Sequence, residues 1–231
     1  MSENPVSFEL SGDVAVVRMD DGKANALSPA MLDGLDEAFG RATKEAKATV
    51  LVGREGRFSA GFDLRHMMAG PAEARALLTR GADVLMKAYG HPQPLVAACT
   101  GHALAGGALL VLTGDVRIGT LGEFKIGLNE VAIGMPLPIL ALEMTRDRLD
   151  PRKLTEATLT ARQYTPVDAV ATGYLDEALE PAKVLPAAME RAARLAQLSG
   201  TPFAASKRGL RGRTIQHIRD TLDANLAEFG A

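Results

Sequence analysis

The run Ala105-Gly106-Gly107-Ala108-Leu109-Leu110-Val111-Leu112 reads as a short helix with no polar face. A helix that is apolar all round has to be covered on every side, so the rest of the chain must wrap around it. The apolar run Leu95 to Cys99 precedes it as a strand, and Gly101-His102-Ala103-Leu104 makes a tight, small-residue turn between the two. A second turn of this kind, Phe58-Ser59-Ala60-Gly61-Phe62-Asp63-Leu64, lies further upstream. Two such turns can aim two backbone N–H groups at one oxygen, the arrangement that supports negative charge growing on a carbonyl. A third element, Asn129-Glu130, offers a carboxylate that can move a proton beside that carbonyl.

The elements around this helix alternate. Val6 to Leu10 and Val14 to Met19 read as strands joined by Ser11-Gly12-Asp13, a hairpin signal. Ser28-Pro29 opens a helix, with serine as cap and proline in the first turn. Its apolar stripe is Met31, Leu32, Leu35, Ala38, Phe39 and Ala42. Thr49 to Val52 follows as a strand. Met67 to Gly70 is an apolar link, and Pro71 opens a helix with Leu77, Leu78, Gly81, Val84, Leu85 and Ala88 on one side. Val116 to Ile118 and Phe124 to Ile126 read as further strands. From about Leu137 helices dominate, including Pro166 to Ala171, Pro181 to Leu198 and Thr214 to Phe229, with one late strand at Leu175 to Leu179. The last helix carries the stripe Ile215, Ile218, Leu222 and Leu226. This order argues for an α/β core with a helical C-terminal part.

With 231 residues the chain can bury a sizeable core. A formal net charge of −2 gives no reason to expect nucleic acid as a partner. No apolar run is long enough to span a bilayer, and residues Met1 to Pro5 show no secretory pattern. A single cysteine, Cys99, sits mid-strand as a core residue and fits a reducing, cytoplasmic setting. The histidines show no metal-ligand spacing, and no metal is expected.

Taken together, the segments Asp21-Gly22-Lys23-Ala24-Asn25-Ala26-Leu27, Phe58 to Leu64, Gly101 to Gly107, Gly114 to Ile118 and Lys125 to Gly134 resemble the crotonase, or enoyl-CoA hydratase/isomerase, superfamily. Each piece is weak alone; their order and spacing are specific. The resemblance implies a ββα superhelical spiral over residues 1–180 and a helical C-terminal trimerisation region over 181–231. It also implies a homotrimer or homohexamer acting on an acyl-CoA thioester, with coenzyme A as part of the substrate and no separate cofactor. Carried over by position, the N–H groups of Phe62 and Gly106 form an oxyanion hole, and Glu130 is the acid/base. Lys23, Ala24, Ala26, Ala60, Asp63, Leu64 and Arg65 lie along the CoA moiety.

The chain departs from the hydratases of that family at one place. They generally use two glutamates; the second aligns with Glu130, and the first falls where this chain has Leu109. Hydration needs a water held against C3 and a proton delivered at C2, which suits two carboxylates. Moving a double bond from C3 to C2 asks for one base that takes a C2 proton and returns it at C4. The expectation is therefore an enoyl-CoA isomerase. The alternatives are a weak or substrate-restricted hydratase and a non-catalytic acyl-CoA-binding protein. Asp63 and Asp115 are expected to hold their turns by bonding backbone. His102 is expected to be structural, and the basic run Lys207, Arg208, Arg211 and Arg213 to be solvated, with a CoA phosphate or RNA as the other options.

Overall fold

The computed structural model describes residues 4–228. Two strands open the chain, β1 (Val6–Ser11) and β2 (Val14–Met19), paired antiparallel as the hairpin signal predicts. Helix α1 (Pro29–Glu45) follows, its first turn capped by the Ser28 hydroxyl accepting from Met31 N at 3.3 Å. The six stripe residues read from the sequence are all buried on it.

The chain then repeats a strand–strand–helix turn. Strand β3 (Ala48–Val52) is followed by β4 (Gly56–Ser59), the single-turn α2 (Leu64–Met67) and α3 (Pro71–Tyr89). Strand β5 (Leu95–Cys99) is followed by β6 (Gly101–Leu104) and α4 (Gly106–Leu112). Strand β7 (Val116–Thr120) is followed by β8 (Ile126–Gly127), a 3-10 turn at Val131–Ile133 and α5 (Ile139–Arg148). Helices α6 (Leu154–Thr158) and α7 (Pro166–Thr172), strand β9 (Glu177–Leu179) and helices α8 (Pro181–Leu195) and α9 (Gly200–Glu228) complete it.

The first strands of the repeats join one sheet, in the order β1-β2-β3-β5-β7-β9, and the second strands join another, β4-β6-β8. Apart from β1 with β2, every pairing is parallel. This is the ββα spiral that the resemblance implies. Every residue of β3 and β5 is buried, because both faces of the large sheet are covered. One face meets α8 through Val184, Ala188 and Ala192, packed with Val50, Val52, Val96, Ala98 and Ile118. The other face joins the main core with α1, α3 and α4. All seven residues of α4 are buried, as a helix without a polar face requires.

Some sequence expectations need correction. Two short strands stand at the glycine turns: β4 runs into the first and β6 opens the second, and at four residues each they are too short to show in a periodicity reading. The strand expected at Phe124 to Ile126 is the two-residue β8, and the one at Val116 extends to Thr120. The helix expected from Thr214 begins at Gly200; its expected end, Phe229, lies outside the described residues.

The basic run is not uniformly solvated. Arg208 and Arg213 are exposed, but Lys207 and Arg211 are buried on the same helix face as Ile218, Leu222 and Leu226. Lys207 Nζ donates to the carbonyls of His91 and Gln93 at 2.8 and 2.9 Å, and to Asp115 Oδ2 at 2.6 Å. Arg211 donates to the carbonyls of Tyr89 and Thr113 at 2.8 and 3.1 Å, and pairs with Asp115 Oδ1 at 3.0 Å. Tyr89 and Thr113 stand at the C-terminal ends of α3 and α4, where carbonyls lack intrahelical partners. Arg211 thus satisfies the negative ends of two core helices, and Lys207 satisfies carbonyls of the loop that follows α3. Asp115 also accepts from Leu95 N at 2.7 Å, so it holds its turn as expected and neutralises both cations.

Candidate active site

The site begins with two backbone turns pressed together. After β4, Gly61 takes φ +88°, a region open to glycine. A Cβ on Gly61 would lie 2.7 Å from Ala105 Cβ and 3.1 Å from Gly106 N, so only glycine lets these turns meet. A Cβ on Gly106 would sit 2.9 Å from the Phe62 ring. The ring's other side fills the space that a side chain on Gly81 of α3 would need.

Hydrogen bonds fix the first turn. Ser59 Oγ donates to Asn25 O at 2.7 Å and accepts from Gly61 N at 3.2 Å. Leu27 N donates to Gly61 O at 2.8 Å, and Asp63 N to Leu27 O at 3.4 Å. That pattern uses the groups on either side of Phe62 and leaves its N–H without an acceptor among the described residues. Gly106 N, at the first position of α4, likewise has none. Two unspent amides therefore stand at adjoining turns. Ala105, just before Gly106, adopts φ 51° and ψ −126°, which an L-residue with a Cβ rarely does. Such strain costs about 1–3 kcal/mol and persists only where surrounding structure imposes it.

Glu130 enters from β8 and starts the Val131–Ile133 turn, its carbonyl accepting from Ile133 N and Met135 N at 3.0 and 2.9 Å. It is 8% exposed, and its Oε2 is buried without a hydrogen-bond partner. Burial raises its pKa, against a smaller opposing pull from the nearby N–H groups of Glu130 and Asn129. Glu130 walls a small apolar cavity of about 80 Å³ together with Ala60, Phe62, Leu64, Ala105 and Leu109. Leu109 is 1% exposed, so no second carboxylate enters there. Asn129 also lines the cavity, and its Oδ1 is buried without a partner.

The expected CoA-facing residues fall in two segments that run side by side. Ala60 N donates to Ala24 O at 3.0 Å, which ties the Lys23 to Ala26 strip to the turn after β4. Ala24 and Ala26 are half-buried, and Lys23 is exposed with its carbonyl accepting from Arg54 at 2.7 Å. Ala60 and Leu64 reach the cavity; Lys23 and Arg65 do not. The Arg65 side chain is 85% exposed. Asp63 is occupied in capping α2, accepting from Arg65 N at 2.9 Å, and its carboxylate lies 3.2 Å from His66.

The sequence reading missed the support beneath this strip. Asn25 is fully buried at φ 51°, and its amide nitrogen donates to Met19 O, Arg57 O and Phe58 O. An asparagine inside a Gly-Lys-Ala-Asn turn is the signal, since its short polar side chain tolerates this backbone region. His102 is structural, accepting from Lys125 N at 3.1 Å and standing edge-on to Phe124. Cys99 is buried, which pushes its thiol pKa up to about 12 and keeps it inert. Among the described residues no cluster of His, Cys, Asp and Glu could hold a metal ion, and no helix is long and apolar enough to cross a membrane.

Comparison with known proteins identifies the family and the fold. The family model described as enoyl-CoA hydratase/isomerase matches residues 9–230. The structure is similar to that of an enoyl-CoA isomerase from Mycobacterium tuberculosis, 38% identical with a TM-score of 0.94, covering 99% of this chain and 100% of that one. It is similar to that of an enoyl-CoA hydratase from Mycobacterium marinum, 37% identical with a TM-score of 0.93, covering 98% of this chain and 100% of that one. The sequence is also 26% identical over 229 residues to human mitochondrial enoyl-CoA delta isomerase 1, covering 97% of this chain and 76% of that one.

Proposed function

The chain belongs to the enoyl-CoA hydratase/isomerase family, and on that premise we propose that it shifts a double bond, converting a 3-enoyl-CoA thioester to the 2-enoyl isomer. In this reading the thioester carbonyl accepts hydrogen bonds from Phe62 N–H and Gly106 N–H. Glu130 removes a proton from C2, and the electrons delocalise over C2 to C4 and onto the carbonyl oxygen. Glu130 then returns the proton at C4, which leaves the double bond between C2 and C3. Each oxyanion donor is worth about 2.7–4 kcal/mol in such a step. A carboxylate whose pKa is raised toward neutrality is a better match for carbon acids and for returning the proton.

One observation carries the reading. Among the described residues, Glu130 brings the only carboxylate to the wall of its cavity, and Leu109 faces that space from the buried helix. The CoA moiety is assigned to the Lys23 to Ala26 and Ala60 to Arg65 segments, whose backbones are already joined at Ala24 and Ala60. Assembly as a homotrimer or homohexamer belongs to the same proposal; the exposed Leu198 and Leu210 near and on α9 support it.

Asn129 favours a second reading. Its buried Oδ1 and the Glu130 Oε2 both lack donors and both residues line one cavity. Two acceptors of this kind can hold the two hydrogens of a water, which would let the site hydrate a 2-enoyl ester. Purified protein assayed on 3-enoyl and 2-enoyl thioesters separates the readings. Isomerisation outpacing hydration is expected; appreciable hydration with negligible isomerisation would favour the hydratase.

A further inference from the structure

Resting on the thioester reading of the Glu130 cavity, we infer that the enzyme is selective for acyl chains that are long but unbranched near the reacting carbons, because two adjoining spaces of very different size receive the two parts of the chain. The Glu130 cavity holds about 80 Å³. A second, open groove of about 720 Å³ lies beside it. Met67, Leu78, Met135 and Pro136 wall both spaces, so a chain leaving the first enters the second without crossing a polar surface.

The small space limits what surrounds C2 to C4. It is bounded by the Leu109 side chain, the Phe62 ring and the strained Ala105, all held by core packing or backbone turns. A methyl branch beside the reacting carbons needs volume that these walls do not yield. The large space imposes no comparable limit on length. Its far side is built from Gly70, Pro71, Ala72 and Ala74, small residues at the start of α3, and from Leu226 near the end of α9. Met68 is 83% exposed at its edge, an apolar side chain held out in water. Methionine is flexible and polarisable, so it can close over chains of different length. Among the described residues of the groove wall, Arg75 alone is charged; it lies 3.5 Å from Asp223, a contact that joins α3 to α9 and engages its charge at the rim.

Transfer of a methylene from water to such a surface tightens binding about fourfold. The test uses titration calorimetry of the full chain with saturated butanoyl-, octanoyl- and dodecanoyl-CoA, which needs no turnover. Affinity is expected to rise at least a hundredfold from butanoyl to octanoyl and further to dodecanoyl, and 2-methylbutanoyl-CoA to bind at least tenfold more weakly than butanoyl-CoA. Affinities equal within threefold along the straight series overturn the inference while leaving the thioester reading intact. No binding of any ester, or of CoA itself, overturns both. Ala74→Trp places an indole in the groove and is expected to shrink the dodecanoyl-to-butanoyl affinity ratio at least tenfold. An unchanged ratio in that folded variant shows that the chain runs elsewhere and overturns the inference, and the wild-type length series stands as an independent measure.

Discussion

Leu109 and Glu130, both buried, wall one cavity from different elements, one on α4 and the other where β8 gives way to a 3-10 turn. A hydrocarbon and an acid that are distant in sequence thus set the chemistry together. Leu109→Glu places a second carboxylate in that space. The variant is expected to gain hydration of 2-enoyl esters at least tenfold relative to isomerisation, and to lose about 1–3 kcal/mol of stability from burying a polar group. Paired assays on the two substrates and urea unfolding measure both effects.

Glu130→Gln separates function from stability. Activity is expected to fall by about 10²–10⁴, the usual worth of a general acid–base group. Burial raises the Glu130 pKa, so the folded state keeps a proton that the unfolded chain has released. Wild-type stability therefore falls as pH rises from the ordinary glutamate value through the raised one. Glutamine has no such titration. The variant is expected to match wild type at acid pH and to be the more stable at pH 7, as read from urea midpoints across that range.

Ala105→Gly tests the strain beside Gly106. Glycine adopts φ 51° and ψ −126° without a Cβ clash. Relief of about 1–3 kcal/mol is offset by about 0.4–1 kcal/mol from a more flexible unfolded chain. A net gain of about 1 kcal/mol is expected in urea unfolding. A loss of stability would falsify the assignment of strain to this residue.

Asp115→Asn tests the ion triad under α9. Lys207 and Arg211 have no other carboxylate partner among the described residues. Burial lowers the Lys207 pKa to about 8 even with Asp115 holding it up. Leaving both cations buried and unneutralised is expected to cost about 3–5 kcal/mol. Asparagine keeps an acceptor for Leu95 N, so the loss reports charge rather than the turn. Lys207→Met with Asp115 retained is expected to lose less, because Arg211 still neutralises the aspartate; thermal melts of the two variants give the order.

Most of the core was legible in sequence because burial leaves periodic marks. The α1 stripe, the continuous apolar runs of β3 and β5, and the featureless α4 each state how many of their faces are covered. Asp63 as a cap and Cys99 as a core residue follow from local chemistry of the same kind. Strands β4 and β6 were not legible, since four residues are too few to show an alternation and their pairing depends on residues more than 40 positions apart.

What the sequence determined by itself was therefore local: the helices and strands with a clear apolar pattern, which of their faces are apolar, and that a leucine stands at position 109. Tertiary structure alone decided that Phe62 N–H and Gly106 N–H are both left without an acceptor among the described residues at touching turns, that Glu130 loses its water, and that Lys207 and Arg211 turn inward, Arg211 to two helix ends and Lys207 to the loop after α3. Desolvation and hydrogen-bond satisfaction depend on everything that surrounds a group, and for these residues the surroundings come from distant parts of the chain.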